Sequence, residues 1–255
     1  MLSQRAAISL ATVVVASALW FIFTSATGWI GAARFPSPPE FFAAFKQIAF
    51  TGYADARLHQ HVLQSCRLVL MGFAVASAIG IPLGLWMGHS RRAEAFINPI
   101  FLLIRPIPPL AWIPLAIVWL GLGDAAKIMV IFFASFVPAV INSYTGVRNI
   151  EPHLIEAAQV LGARGSAYVF EVLIPGAMPM IFTGLRLSLQ ASWTTLVAAE
   201  LVGALSGLGQ VLSSAAQDIF PAMIFTGMVF VGLCGASMTY LLGLLERRAL
   251  HWRQA

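Results

Sequence analysis

Charged residues are scarce in this sequence: aspartate, glutamate, lysine and arginine make up 10% of its 255 residues, whereas 59% are hydrophobic. A soluble domain carries about 25% charged residues, so this chain has too few to cover a water-facing surface. With a mean hydropathy of +0.85, the composition excludes an ordinary soluble protein. It predicts a chain that crosses a membrane several times.

Lysine and cysteine are also rare. Lysine occurs only at Lys46 and Lys127, and neither follows a glycine, so the Gly-Lys-Ser/Thr phosphate loop is missing. The chain itself is therefore not expected to bind ATP by that route. The two cysteines, Cys66 and Cys234, lie inside apolar runs and match neither a disulfide framework nor a zinc site.

Catalytic and metal-binding patterns are missing as well. The five histidines are assigned to loops and tails, and His59 and His61 are two residues apart, a poor ligand spacing on a helix. No nucleophile lies in a pattern with a base. A membrane-embedded enzyme therefore has no support, and neither a catalytic nor a metal site is predicted.

Six apolar runs are long enough for transmembrane helices, since about 20 residues cross the hydrocarbon core. The first run, from Ala6 to Phe23, is longer than the apolar part of a signal peptide, so a retained span is expected. The other five spans are predicted near residues 62–88, 98–121, 127–147, 179–202 and 222–245.

These spans define three parts of the chain. Residues 1–61 hold the first span, an outer loop and a short interfacial helix, FFAAFKQIAF, near residues 41–50. Residues 62–248 form the core, and residues 249–255 are a tail. A polar loop at residues 148–178 interrupts the core.

Positive charges predict that both termini are cytoplasmic, because cytoplasmic loops are enriched in lysine and arginine. With the N-terminus inside, the cytoplasmic segments hold Arg5, Arg91, Arg92, Arg148, Arg164, Arg247, Arg248 and Arg253, and the outer segments hold Arg34, Lys46, Arg57 and Lys127. The distribution accounts for the net charge of +5 without a nucleic-acid partner. It also assigns the 148–178 loop to the cytoplasm.

Small residues recur every fourth position in the second span, at Gly72, Ala76, Gly80, Gly84 and Gly88. Such a stripe lets another backbone approach closely. It favours packing within the chain, with a dimer contact as the alternative.

The third run is interrupted by RPIPP, from Arg105 to Pro109. A residue before proline is driven out of the α conformation, so the helix is expected to break here. Broken backbone at membrane depth needs protein or water around it. The break is therefore expected at the cytoplasmic edge or beside a translocation path, where Arg105 either holds it in place or meets an anion.

The stretch Glu156–Pro175, EAAQVLGARGSAYVFEVLIP, is the longest part of the second half that cannot lie in lipid. Apolar residues near helical spacing predict a helix up to Leu161, a left-handed cap at Gly162 and a second short helix that Pro175 ends. A structured loop between two spans is expected to be a docking surface.

Three motifs in order resemble the permease subunits of ABC importers. Glu156-Ala157-Ala158, then Gly162, Val172 and Ile174-Pro175 are similar to the E-A-A, three, G, nine, I-x-L-P pattern of that family, with Val172 and Ile174 replacing the usual Ile and Leu. The segments RPIPPLAWIPLAIVWLGLGD (105–124) and GLRLSLQASWTTLVAAELVGALSGLG (184–209) look like the branch for taurine, aliphatic sulfonates and nitrate.

The resemblance implies an all-α membrane protein, the six-helix transmembrane domain of a type I ABC importer in the bacterial inner membrane. Its implied partners are a second copy of the chain, two ATPase subunits that bind ATP and Mg, and a periplasmic substrate-binding protein; this chain binds no cofactor. The expected substrate is a small sulfonate, first of all taurine. Nitrate or another organic anion is the alternative, and a stand-alone channel or secondary transporter is the alternative from another class.

The resemblance also assigns the ATPase contact to one set of residues: Glu156, Ala157, Ala158, Gly162, Ala163, Arg164 and Pro175. Glu156 would either touch the ATPase or shape the loop that does. When ATP closes the ATPase dimer, the loops of the two copies would move together and open the pathway outward.

Candidate pathway residues are the polar and ionisable residues of the spans, which are costly to bury in lipid. They are Arg105, Asn142, Arg186, Ser188, Gln190, Ser192, Trp193, Thr195 and Glu200. Each has a plainer alternative: helix packing for the small face and for Trp193, snorkelling for Arg186, and hydrogen bonds from loop backbone or pairing with a cation for Glu200.

Overall fold

The computed structural model describes residues 2–31, 34–203 and 206–251. In this part of the chain the regular elements are helices, and no strand is present. The α-helices are α1 (Leu2–Phe21), α2 (Pro38–Lys46), α3 (Leu58–His89), α4 (Arg91–Ile104), α5 (Ile113–Leu120), α6 (Asp124–Arg148), α7 (Pro152–Val160), α8 (Ile174–Gly203), α9 (Leu208–Gln217) and α10 (Pro221–Ala249). The predicted all-α class is confirmed.

Among the described residues, five helical stretches are long and apolar enough to cross a membrane: Ala7–Ala26, Leu58–His89, Asp124–Arg148, Tyr168–Val202 and Pro221–Ala249. The remaining predicted span, near residues 98–121, corresponds to α4 together with Pro109–Leu120, a pair of helices bent by 82°. The bend follows Ile104, at the prolines where a break was predicted. The side of the membrane on which each terminus lies stays a prediction, as do the predicted boundaries of the three parts.

Contacts divide the chain into two compact units. One consists of Met1–Gln64 with Leu205–Gly232, and the other of Ser65–Ala204 with Leu233–Ala255. The last four residues of the predicted tail, with Arg253 among them, lie outside the described residues.

Aromatic rings hold the first unit together. The ring of Trp20 lies 6.4 Å from Phe35, 6.0 Å from Phe41 and 5.3 Å from Phe225 of α10. The indole also donates a hydrogen bond to the carbonyl of Pro36, at 2.9 Å. The first span is thereby joined to the segment that leads into α2.

The helix predicted near residues 41–50 begins earlier, at Pro38, and continues as a π-helix over Gln47–Thr51. Its start is fixed by Ser37, whose backbone N–H and hydroxyl both donate to the Glu40 carboxylate at 2.8 Å. These donors, the backbone N–H first, lower the pKa of Glu40. The sequence S-P-P-E therefore sets where α2 starts.

The small-residue stripe of α3 packs against α6. A Cβ added at Gly72 would lie 2.5 Å from Cγ2 of Ile131, and one added at Gly84 would lie 2.4 Å from the carbonyl oxygen of Val140. Gly80 and Gly88 meet α6 in the same way, at 3.0 and 2.6 Å. The small residues of α3 therefore serve helix packing within the chain.

The prediction that Pro175 ends the second loop helix is wrong. Tyr168–Leu173 is a π-helix that runs directly into α8, so helix continues from Tyr168 to Val202. The N–H of Ile174 donates to the carbonyl of Val169, five residues back. Pro175 thus lies in the first α-helical turn, where a missing N–H is tolerated, and the wide π-turn before it accommodates the ring.

The α3–α6 contact can be tested by adding one methyl group. Gly84→Ala is expected to lower the free energy of unfolding by about 1–3 kcal/mol, the usual cost of overpacking, because the methyl would collide with the Val140 carbonyl. Gly232→Ala is the matched control, since an added Cβ there has nothing within 4 Å. Thermal unfolding of both variants in detergent measures the difference, and an unchanged midpoint for Gly84→Ala would contradict the contact.

Candidate functional site

The predicted docking loop is built on α7, and a Schellman motif fixes where that helix ends. Ala163 N–H donates to the Ala158 carbonyl at 2.9 Å, and Gly162 N–H donates to the Gln159 carbonyl at 3.0 Å. Gly162 has a φ of +83°, so the left-handed cap predicted there is confirmed. Because only glycine adopts this conformation without strain, the motif explains why a glycine stands four positions after Ala158.

The surface of α7 is apolar and uncovered. None of its residues is buried, yet Val160 and the following Leu161 are each 87% exposed, and Leu154 is 51% exposed. Glu156 is exposed on the same helix, and its carboxylate forms no hydrogen bond or ion pair with any residue the structure describes. Exposed apolar side chains around a free carboxylate are typical of a surface that binds another protein.

The second half of the loop contacts the end of α3. The ring of Tyr168 lies 5.5 Å from that of His89, the last residue of α3. Both rings line a cleft of about 410 Å³ with Ala163, Arg164 and Gln159. Arg164 itself is exposed. The loop residues Ala163 and Arg164 therefore lie next to the spans rather than apart from them.

An apolar cluster anchors the loop to the spans. It consists of Val147, Ile150, Leu173, Ala177 and Ile181, with Ile155 of α7 and Tyr168 packed against it. At the end of α6, the Tyr144 hydroxyl donates to Glu94 at 2.5 Å, and Arg148 forms an ion pair with the same carboxylate. The loop is thus held by the ends of α4, α6 and α8 together.

The serines of α8 lie in its contact with α6. Ser188 and Ser192 are fully buried. The Ser188 hydroxyl donates to the Ser135 carbonyl at 2.6 Å, and the Ser135 and Ser192 hydroxyls are 2.6 Å apart. These hydrogen bonds join the two helices inside one chain. The pathway role of Ser188 and Ser192 stays a prediction.

Neighbouring candidates on the same two helices are half-buried or buried. The Asn142 side chain donates to the Pro138 carbonyl at 2.8 Å and lies against Gly184, where an added Cβ would be 2.7 Å from its Cβ. Thr195 and Trp193 are buried. The indole N–H of Trp193 has no acceptor among the described residues.

Another face of α8 is exposed and polar. Arg186 and Gln190, one turn apart, are both exposed, and so are Thr183 and Thr194. Arg186 forms an ion pair with Glu246 of α10. It also lines an open cleft of about 470 Å³ with the basic Arg247. Polar side chains on a membrane-spanning helix need either another chain or water against them.

Two further candidates, Arg105 and Glu200, lie at the ends of helices. Arg105 is the exposed C-cap residue of α4, next to the 82° bend. Glu200 is fully buried near the end of α8, and the Ser65 hydroxyl of α3 donates to its two oxygens at 2.9 and 3.2 Å. Glu200 therefore accepts hydrogen bonds, as predicted, and a side-chain hydroxyl is one of its donors.

Sequence reasoning placed Lys127 at the first residue of the predicted 127–147 span and counted it among the outer charges, and it assigned His61 to a loop. The loop assignment of His61 is wrong, and α6 begins three residues before Lys127. Lys127 lies in the second turn of α6 and is 7% exposed. His61 is fully buried in α3, where Nδ1 accepts the Gly207 N–H at 3.1 Å and Nε2 donates to the Tyr53 carbonyl at 2.9 Å. Asp124 and Lys127 form an i, i+3 pair, and this acid–base spacing is the signal that α6 starts before Lys127.

Comparison with known proteins agrees with this geometry. The profile of the family described as binding-protein-dependent transport system inner membrane component matches residues 80–251. The taurine transport system permease protein of Escherichia coli is 35% identical over 253 residues, covering 98% of this chain and 91% of that protein. An aliphatic sulfonates transport permease protein of Bacillus subtilis is 32% identical, covering 93% and 84%.

One further relative and one solved structure are also similar to this chain. A bicarbonate transport system permease protein of Synechococcus elongatus is 33% identical over 237 residues, covering 90% of this chain and 84% of that protein. Among solved structures, the MetNI methionine ABC transporter in an inward-facing conformation superposes with a TM-score of 0.67. It covers 75% of this chain and 95% of the matched chain at 21% identity, a likeness of fold.

The Ser65–Glu200 hydrogen bonds have a built-in control on the same helix. Ser65→Ala is expected to lower the free energy of unfolding by about 1–3 kcal/mol, because a buried carboxylate loses a donor. Ser77 of α3 is also buried, but its hydroxyl has no partner among the described residues, so Ser77→Ala should be neutral or slightly stabilising. Equal melting temperatures for the two variants in detergent would contradict the assigned role of Ser65.

Proposed function

The chain belongs to the family of binding-protein-dependent transport system inner membrane components, and on that basis we propose that it is the permease through which an ATP-driven importer moves taurine into the cytoplasm. The 35% identity to a taurine permease extends over nearly the whole chain. A relative named for aliphatic sulfonates supports the same class of substrate. The subunit is a permease, and hydrolysis of ATP belongs to a partner subunit.

The proposed orientation puts both termini and the α7 loop in the cytoplasm of a bacterial cell, with the spans in the inner membrane. Arg91 and Arg92 at the start of α4, Arg148 at the end of α6 and Arg164 in the loop all fall on that side. The positive-inside rule favours this arrangement. The opposite side then faces the periplasm and the substrate-binding protein.

The single observation that carries the proposal is the uncovered apolar surface of α7. A nine-residue helix without a fully buried residue, which exposes Val160 and the following Leu161, needs a partner for stable burial. We assign this surface, with the exposed carboxylate of Glu156, to an ATPase subunit that holds ATP and Mg. Because Glu156 has no partner within the described chain, contact with the ATPase is favoured over shaping of the loop.

A second copy of the chain completes the proposed pathway. The exposed polar face of α8, with Arg186, Gln190 and Thr194, lies inside the stretch Tyr168–Val202 that is long enough to cross the membrane. Such a face is unfavourable against lipid. Two copies that face each other would enclose it around a polar route, and Arg186 would give that route a positive charge suited to a sulfonate.

Transport is proposed to proceed by alternating access between two packed states. The loop is anchored in the apolar cluster at the ends of α6 and α8, and α3 and α8 each pack closely on α6. A displacement of α7 by the closing ATPase would therefore move these helices together. This is a rigid-body transition rather than a chemical step.

Nitrate or another small anion is the alternative substrate, and the bicarbonate permease of Synechococcus elongatus, 33% identical, supports a wider anion range. A secondary transporter, the alternative from another class, would leave the α7 surface without a purpose. Uptake in vesicles that contain the chain but no ATPase, driven by an ion gradient, would show that alternative to be correct.

Docking on α7 predicts that Leu161→Asp prevents co-purification with the ATPase while the melting temperature of the isolated subunit is unchanged. The reason is that Leu161, being 87% exposed, contributes little to folding but much to a buried interface. Leu161→Met should assemble normally. Normal assembly of Leu161→Asp would count against the docking surface.

The role of Glu156 is tested in the same assay. Glu156→Ala is expected to weaken ATPase assembly and substrate-stimulated hydrolysis, whereas Lys46→Ala, an exposed change on α2 and outside the loop, should leave both unchanged. If Glu156→Ala behaves like the control, the carboxylate has no part in docking.

The substrate is identified by the ATPase activity of the reconstituted importer. The candidate binding protein, loaded in turn with taurine, an alkanesulfonate or nitrate, is added to permease and ATPase in lipid. Taurine should stimulate hydrolysis most strongly. Stimulation by nitrate alone would replace taurine by the alternative substrate.

A further inference from the structure

We infer that Lys127 binds the anionic group of the transported substrate, at a site that α5 covers in the present conformation. The inference rests on the proposed function, since it takes the substrate to be a small anion. It concerns a residue that lies apart from the polar face of α8 and from the α7 loop.

Lys127 holds a positive charge where charge is costly. It lies in a helix able to cross the membrane, and its side chain is only 9% exposed. Its ion-pair partner in the described part of the chain is Asp124, whose Oδ1 lies 3.6 Å from Nζ, too far for a hydrogen bond. The side chain of Asp124 is 45% exposed, so water weakens the attraction further.

The hydrogen-bonding capacity of Lys127 is therefore left for another group. An ammonium has three donors and no acceptor, and a sulfonate offers three oxygens with a negative charge. Removing the ammonium group of a lysine from water is unfavourable unless an opposite charge and hydrogen bonds offset the lost hydration. An ionisable residue kept at such a place is a functional candidate with an anion as its natural counterpart.

The space beside Lys127 is small and otherwise apolar. Its walls include Ile113 and Ile117 of α5, Val130 of α6 and Ala199 of α8. The cavity measures about 20 Å³, enough for one water molecule but not for a sulfonate. A sulfonate fits beside Lys127 only when one wall moves away.

The wall best able to move is α5. This helix has eight residues, Ile113–Leu120, and the 82° bend precedes it. At its other end Gly121 adopts a φ of +77°, and a Cβ added at Gly121 or Gly123 would meet nothing within 4 Å. Open glycines at one end and the proline break at the other allow α5 to turn as a unit.

Movement of α5 would change what Lys127 faces. Ile113 and Ile117 would leave the ammonium, while Ala199 keeps it next to α8, the helix with the proposed pathway face. The anion would then meet Lys127 as it leaves the binding protein and before it reaches Arg186. Return of α5 would exclude water and strengthen the charge–charge contact.

The decisive experiment compares the two lysines of the sequence in the complete importer, reconstituted with its ATPase and binding protein. Lys127→Met should lower the maximal rate of taurine uptake by about tenfold or more, the loss expected for one hydrogen bond to a charged group. ATP hydrolysis stimulated by the loaded binding protein should persist, so fewer taurine molecules cross per ATP. Lys127→Arg should retain part of the uptake.

Lys46→Met is the matched control, because Lys46 is exposed on α2, and it should match the wild type. The inference is overturned if Lys127→Met keeps the wild-type ratio of uptake to hydrolysis, or if both activities fall in parallel as for a structural residue. If the wild-type importer transports neither taurine, an alkanesulfonate nor nitrate, the proposed function itself fails, and that outcome is visible without any variant.

Labelling provides a second test that does not depend on Lys127→Met being stable. Lys127→Cys is placed in a Cys66→Ser, Cys234→Ala background and treated with a methanethiosulfonate that carries a sulfonate group. The labelling rate should rise when ATP and vanadate trap the importer, and taurine should slow it. A rate that neither treatment changes would contradict the cover formed by α5.

Discussion

Close contact among α3, α6 and α8 is the interaction on which the rest of this structure depends. In lipid there is little hydrophobic force between helices, so association relies on short approach and on hydrogen bonds. Gly84 allows the short approach of α3 to one side of α6. On the other side of α6, the hydrogen bond from Ser188 to Ser135 joins it to α8. The three helices therefore form one body, to which α7 is attached through the apolar cluster at its base.

Several charged side chains of these helices are paired with a side chain of another helix. Arg148 with Glu94 and Arg186 with Glu246 tie pairs of helices to one another, and buried Glu200 is held by a hydroxyl of α3. Lys127 differs from these residues, because its carboxylate partner is distant and partly in water. The contrast sets Lys127 apart as a buried charge whose hydrogen-bonding capacity is available to a ligand.

Much of the fold could be predicted from the sequence, because apolar length and helix caps are local properties. The five spans, the break after Ile104 and the cap at Gly162 needed only hydropathy, proline and glycine. Pro175 could not be read correctly, since the π-turn before it leaves no local signature. Lys127 was missed as a binding residue for a related reason: it was counted among the charges at the outer end of the predicted 127–147 span, whereas its burial comes from the packing of α5 and α8 over it.

The site was predictable only in part. The residues of α7 lie where the motif suggested, but exposure of Val160 and Leu161 emerged from the fold. On α8 the polar residues separate into a buried face, with Ser188 and Ser192, and an exposed one, with Arg186 and Gln190. Helical spacing alone does not say which face a neighbouring helix will cover.

The Schellman cap after α7 also constrains the direction in which Glu156 projects from the helix. Because Gly162 must follow the last helical turn, the number of residues between it and Glu156 sets the direction of the carboxylate around the helix axis. One residue more or less would rotate that direction by about 100°, with every residue type unchanged. The spacing of the loop is thus a constraint on angle, which insertions and deletions would break more severely than most substitutions.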